Sequence, residues 1–280
     1  MILHPGVLAL LGGSAVALVM LVAACRVGLQ VLRHWDYSSS SERQLRLERR
    51  TFLVSSLASL ALAIEIVSSL LFLYTVDDLH GLFVGAMCAT GSLNANPVGW
   101  WVLPVKVLIL IAAPVWIACN GLDLSAGDFP VIRTRYAALL LLTPLVAADV
   151  VLQTRYFLGL DPEVITSCCG ALFSASGSGV SSELAGLAVF PTMRLFYAVS
   201  GAFVVALATT LVWPKPALRI GAAALALAFL AVALVSMVSF VSLYIYQLPT
   251  HHCPFDVLQA QYRYIGYPLY ASLFAAAVLG

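Results

Sequence analysis

The chain is a series of long apolar runs separated by short polar stretches. A helix that crosses a membrane needs about 20 mostly apolar residues. Seven runs meet that length or approach it: 6–27, 52–75, 101–120, 137–157, 195–213, 218–246 and 264–280. None alternates apolar and polar positions in the way of a barrel strand. Lipid offers no water to unpaired backbone groups, so such runs close their hydrogen bonds internally, as helices. The pattern predicts an all-α, polytopic integral membrane bundle of about seven transmembrane helices, forming one domain.

The positions of the basic residues orient it. Arg26 at the end of the first run, and Arg33, Arg43, Arg46, Arg49 and Arg50 after it, precede the second run. Arg133 and Arg135 fall between the third and fourth, and Lys215 and Arg219 lie where the fifth meets the sixth. The opposite side keeps only Lys106, Arg155, Arg194 and Arg263. An excess of Lys and Arg marks the cytoplasmic side. The expected N-terminus is therefore outside and the C-terminus cytoplasmic, with outer loops at 76–100, 158–194 and 247–263. Residues 1–5 lack a positive n-region, so the first run reads as a retained span rather than a signal peptide. The last run is short and stops at Gly280 without a polar anchor, and it reads as the end of a fragment. Glu42, Arg46, Arg49 and Arg50 follow helical spacing, as expected of a solvated helix end beyond a cytoplasmic turn.

Composition narrows the class further. Of the 280 residues, 62% are hydrophobic and 10% charged, against about 25% charged in soluble domains. The formal charge of +1 lacks the basic surplus that phosphate binding requires. These values exclude a soluble enzyme, a disordered tail and a nucleic-acid binder. The lipid bilayer is the one partner they imply directly. No P-loop or hydrolase motif is present, and Gly177-Ser-Gly179 has no strand before it.

The chemistry-bearing residues gather in the outer loops. There are six cysteines. Cys25 and Cys119 fall near inner span ends and read as small apolar residues. Cys88, Cys168, Cys169 and Cys253 all fall on the outer side. In a bacterial inner membrane, the expected location, that side is oxidising and permits disulfides. Their connectivity is open. Adjacent Cα atoms are about 3.8 Å apart, which strains a Cys168–Cys169 bond. Each sulfur is expected to look elsewhere: to Cys88, to Cys253 or to a soft metal. Ser181 or Ser182 reads as the cap of a short helix from Glu183.

The third outer loop reads Pro249-Thr-His-His-Cys-Pro-Phe-Asp256. His251, His252, Cys253 and, from the first outer loop, Cys88 are candidate metal ligands, with Met87 as a further sulfur donor. Cys253 is equally a candidate redox thiol, with an imidazolium neighbour to lower its pKa.

Two short resemblances accompany this reading. The vicinal cysteines resemble the Cys-Cys of mercuric-ion transporters over two residues, without the matching topology, and no role is carried over. Cys253-Pro-Phe resembles the first half of a Cys-Pro-X-Cys thiol-redox motif. Asp256 stands at the second Cys position, so a resolving thiol must come from another loop.

Within the spans, Glu65 lies near the middle of the second, where a carboxyl marks a hydrogen bond to another helix or a proton-transfer role. Asp149 is expected to contact Arg155, and Lys106 to snorkel toward the interface. Ser236, Ser239 and Ser242 recur every three residues and suit close helix packing.

Three functions follow. The first is membrane thiol–disulfide oxidoreduction through Cys253, Cys88, Cys168 and Cys169, with Glu65 handling protons. Its electron acceptor would be a quinone near Trp100 and Trp101, and its partner a periplasmic thiol protein. This is similar in logic to quinone-linked disulfide-forming proteins, without their paired Cys-X-X-Cys. The second is binding or transport of haem or of a soft metal, Cu or Zn, through His251, His252, Cys253 and Cys88. The third is a structural subunit of a membrane complex with disulfide-stapled loops.

Overall fold

The computed structural model describes residues 2–36, 39, 41–126, 128–161, 163–166, 186–248 and 251–280. Among these residues the chain is helical throughout, with no strand. The main helices are α1 (Pro5–His34), α2 (Glu42–Asp78), α3 (Ala89–Asn94), α4 (Gly99–Ser125), α5 (Ile132–Leu158), α6 (Val189–Val212), α7 (Pro216–Ser236), α8 (Ser242–Tyr246) and α9 (Gly266–Leu279).

Six helical stretches are long and apolar enough to cross a membrane. These are Pro5–His34, Glu42–Leu82, Gly99–Ser125, Ile132–Leu158, Val189–Val212 and Pro216–Tyr246. The seventh expected span is the 14-residue α9. At 1.5 Å per residue it extends about 21 Å, short of a hydrocarbon core of about 30 Å.

Helix ends also depart from the apolar windows. α1 continues to His34 and α2 begins at Glu42. The extra turns are amphipathic: Gln44 and Leu47 are buried, while Arg46 and Glu42 form an exposed i,i+4 pair at 2.5 Å. Hydropathy reads only the lipid-facing length of a helix that propagates into water. Pro5 and Pro216 occupy first-turn positions, where a missing N–H costs nothing.

The chain divides into two compact units. The first is Met1–Val76 with Asn96–Pro162, and the second Asp77–Ala95 with Glu163–Gly280. In the first, α5 packs against α1 and α4. Leu21, Leu62, Ile109 and Leu139 meet in its core. Gly28 lets α1 approach Tyr136 of α5, since a Cβ there would lie 2.9 Å from the ring.

This core also holds charge. Lys106 Nζ meets Asp149 Oδ2 at 2.8 Å, with both side chains buried. Lys106 therefore turns inward over the Phe72 ring instead of snorkelling. It, and not Arg155, is the partner of Asp149. Six residues from Asp149, Arg155 has rotated to another face of α5 and is exposed. A second buried pair, Arg135 Nη1 with Asp123 Oδ2 at 3.0 Å, ties the C-terminal part of α4 to the start of α5. Cys25 is half-buried, with Sγ 2.9 Å from Thr143 Oγ1, whereas Cys119 is exposed on α4.

In the second unit α7 packs against α6 and α9. Its helix widens to a π-turn at Met237–Val241 before continuing as α8. Ser236, Ser239 and Ser242 are buried around that turn. Most of α6 is exposed, as suits a helix that faces lipid.

Candidate functional site

The site is built from three short segments of the second unit. The first follows the 3-10 turn Leu79–Leu82 and runs through Cys88 into α3. Gly85 adopts φ +88°, a left-handed conformation open to glycine at little cost. A Cβ there would fall on the Thr166 carbonyl oxygen. The turn holds Val84 against the second segment, where Thr166 N–H donates to the Val84 carbonyl at 2.9 Å. Gly91 serves similarly inside α3, since a Cβ would lie 2.6 Å from Ala86 Cα.

The third segment begins after α8, where Gln247 turns the chain at φ 56°. His252 is buried and its Nδ1 lies 2.8 Å from the Val238 carbonyl. The π-turn makes this possible, because a widened turn leaves carbonyls available to side chains. Tyr246 O–H donates to the Cys253 carbonyl at 2.6 Å. Tyr270 O–H donates to the Pro254 carbonyl at 2.7 Å. Asp77 Oδ1 accepts from Ala89 N–H at 3.0 Å and from Gln259 Nε2 at 3.3 Å, and Gln259 also donates to the Met87 carbonyl. These bonds lock the loop before Cys88 to the loop after Cys253.

The result is a contact between two sulfurs. Cys88 Sγ and Cys253 Sγ lie 3.5 Å apart, both fully buried. A disulfide bond is about 2.05 Å long, so closure needs a movement of about 1.5 Å, within reach of side-chain rotation. Cys253 Sγ–H donates to Asp256 Oδ1 at 3.4 Å. Phe255 N–H donates to Cys253 Sγ at 3.4 Å, and Thr90 Oγ1 is also 3.4 Å from it. His251 Nε2 lies 2.6 Å from the other carboxylate oxygen, Asp256 Oδ2. The order is Cys88, Cys253, Asp256, His251, with His251 the member most open to solvent. Its ring packs edge-on to Tyr246, which in turn packs on Tyr262. Burial pushes the Tyr262 phenol above its ordinary pKa, and the Asp256 and Cys253 charges add to this.

Several expected residues fall elsewhere. His251 faces the carboxylate rather than the sulfur, so it acts on Cys253 only through Asp256. His252 directs Nδ1 to the backbone. Met87 is exposed and contributes its carbonyl. Glu65 belongs to the first unit, buried on α2. Cys168, Cys169 and the cap expected at Ser181 or Ser182 lie outside the described residues.

Asp256 is the residue that sequence reasoning missed as a participant. The signal was present: a Cys-x-x-Asp spacing puts the carboxylate where the second thiol of a Cys-x-x-Cys turn would sit. One acidic oxygen and two sulfurs, from Cys88, Cys253 and Asp256, lie within 4.8 Å of one another. A zinc ion has Zn–S bonds of about 2.3 Å and Zn–O bonds of about 2.0–2.2 Å, so such a triangle can close on one.

The fold and the apolar helices define an integral membrane protein of the helical type. No protein-family model, curated protein or solved structure matches the chain.

Proposed function

We propose that the chain is a thiol–disulfide redox protein of a bacterial inner membrane, and that Cys88 and Cys253 form its dithiol couple. The observation that carries this reading is the 3.5 Å sulfur contact with a carboxylate on Cys253. A disulfide staple needs no proton acceptor. A thiol that must ionise and attack does.

The chemistry balances as follows. Cys253 attacks one sulfur of a partner disulfide, and its proton passes to Asp256. A mixed disulfide forms and the partner's other sulfur leaves as thiolate. Cys88 then attacks Cys253 Sγ, the Cys88–Cys253 bond forms, and the partner departs as a dithiol. Two electrons move to the partner. In the opposite direction a partner dithiol reduces the Cys88–Cys253 disulfide and leaves as a disulfide; a quinone would then accept the two electrons and two protons of the couple's dithiol and regenerate its disulfide. Asp256 opposes a standing thiolate by its charge, while Phe255 N–H and Thr90 O–H favour one. The proton therefore leaves as the new bond forms, which is general-base catalysis. His251 holds the carboxylate in place.

A specific observation favours a second reading. The Cys88–Cys253–Asp256 triangle has the donors and spacing to hold Zn(II), or Cu(I) on its two thiolates alone. One experiment separates the two. In Cys88→Ser with Cys25, Cys119, Cys168 and Cys169 also changed to Ser, Cys253 has no resolving thiol, so a mixed disulfide with a small aromatic disulfide accumulates and shows as a mass adduct. In Cys253→Ser in the same serine background no such adduct forms. Equal trapping in both variants, or reactivity that appears only after a chelator, sinks the redox assignment.

A further inference from the structure

The first unit contains a charged cluster that the thiol couple does not use. Glu65 (α2) is fully buried, and Asp149 and Lys106 are its charged neighbours. Ser14 (α1) donates to Glu65 Oε2 at 3.5 Å and lies 2.9 Å from Ser68 Oγ. Lys106 is committed to Asp149 at 2.8 Å. One turn after Asp149, Gln153 is also fully buried. Four polar atoms of this group have no hydrogen-bond partner among the described residues: Glu65 Oε1, Asp149 Oδ1, Gln153 Oε1 and Gln153 Nε2. Three of these are acceptors once both acids are ionised, and only the amide nitrogen donates.

The charge count points the same way. Lys106 and Asp149 cancel. An ionised Glu65 then leaves a net charge of −1 inside an apolar bundle, where an unbalanced charge is costly. At this carboxyl α1 contributes Ser14, α4 Lys106 and α5 Asp149, with the neutral Gln153 one turn beyond Asp149 on α5. A single proton removes the excess charge and supplies the donor that the orphan acceptors lack.

We propose that Glu65 is the carboxyl of an exchangeable proton site within the membrane helices of the first unit, with Lys106–Asp149 as its fixed counter-charges. The site gives this unit a proton-handling role of its own, independent of the dithiol couple.

The test is pH-difference infrared spectroscopy of the full chain in lipid nanodiscs. The wild type is expected to show a protonated-carboxyl band that grows as pH falls. The band is lost in Glu65→Gln, shifted in frequency but retained in Glu65→Asp, and weakened in Asp149→Asn, where the Lys106 ammonium, freed of its partner, balances an ionised Glu65. Lys106→Met uncovers Asp149, which then takes a proton too, so the band roughly doubles. A band that survives Glu65→Gln overturns the proposal, as does a wild-type spectrum without a titrating buried carboxyl. Loss of the band on adding sodium at fixed pH also overturns it, by making the occupant a metal cation. The Glu65→Asp and wild-type spectra decide the question even if Glu65→Gln does not fold.

Discussion

Lys106→Met is expected to destabilise the first unit by about 3–5 kcal/mol, the cost of breaking a buried ion pair from one side. Asp149 Oδ2 would lose its 2.8 Å partner while remaining fully buried. The Phe72 ring would lose its cation as well. The methionine fills similar volume, so little of the loss comes from packing. A large part of it should return in the double variant Lys106→Met/Asp149→Leu, because no uncompensated charge is left. Thermal or denaturant unfolding in detergent measures both. If the single variant is as stable as the wild type, the pair does not hold α4 to α5.

The second large effect concerns rate. Asp256→Asn keeps the shape of the side chain and removes the proton acceptor next to Cys253 Sγ. In a Cys88→Ser background, timed alkylation of Cys253 should slow by about 10²-fold near neutral pH, the lower range for a positioned base. The gap should narrow as pH rises, because the thiol then ionises without help. A purely structural Asp256 would instead give the same ratio at every pH, and that outcome removes the residue from the reaction. The 2.6 Å contact to His251 predicts a smaller slowing for His251→Gln, which can still hold the carboxylate by a hydrogen bond.

These effects show where the sequence was legible. Long apolar runs located all six candidate spans, because lipid leaves a helix no alternative to an apolar surface. The ends of α1 and α2 were hidden, since their outer turns are amphipathic and lie beyond what hydropathy registers. The α9 run had the composition of a span and is helical over 14 residues, Gly266–Leu279. Topology placed Cys88 and Cys253 on one side and left them as one pairing among several. Their contact depends on a glycine turn at Gly85 and on Gln259 reaching Asp77 and the Met87 carbonyl, and none of this is periodic. Lys106 and Asp149 each stood out as a lone charge in an apolar run. Their pairing spans 43 positions and leaves no mark in the local sequence. The backbone contact of His252 was not legible, because nothing in the sequence revealed the π-turn whose carbonyl it meets.

The most direct test of the dithiol couple is its reduction potential. The full chain in nanodiscs would be equilibrated in a series of thiol–disulfide buffers, acid-quenched and alkylated, and the state of Cys88 and Cys253 read by mass spectrometry. A working couple titrates as a two-electron pair with a potential above about −300 mV, in the range where exchange with other thiol proteins is reversible. Cys88 and Cys253 should be lost and regained together, with or without a chelator. A bond that persists below about −300 mV is a structural staple. Thiols that label only once metal has been stripped belong to a metal site. Either result contradicts the redox account.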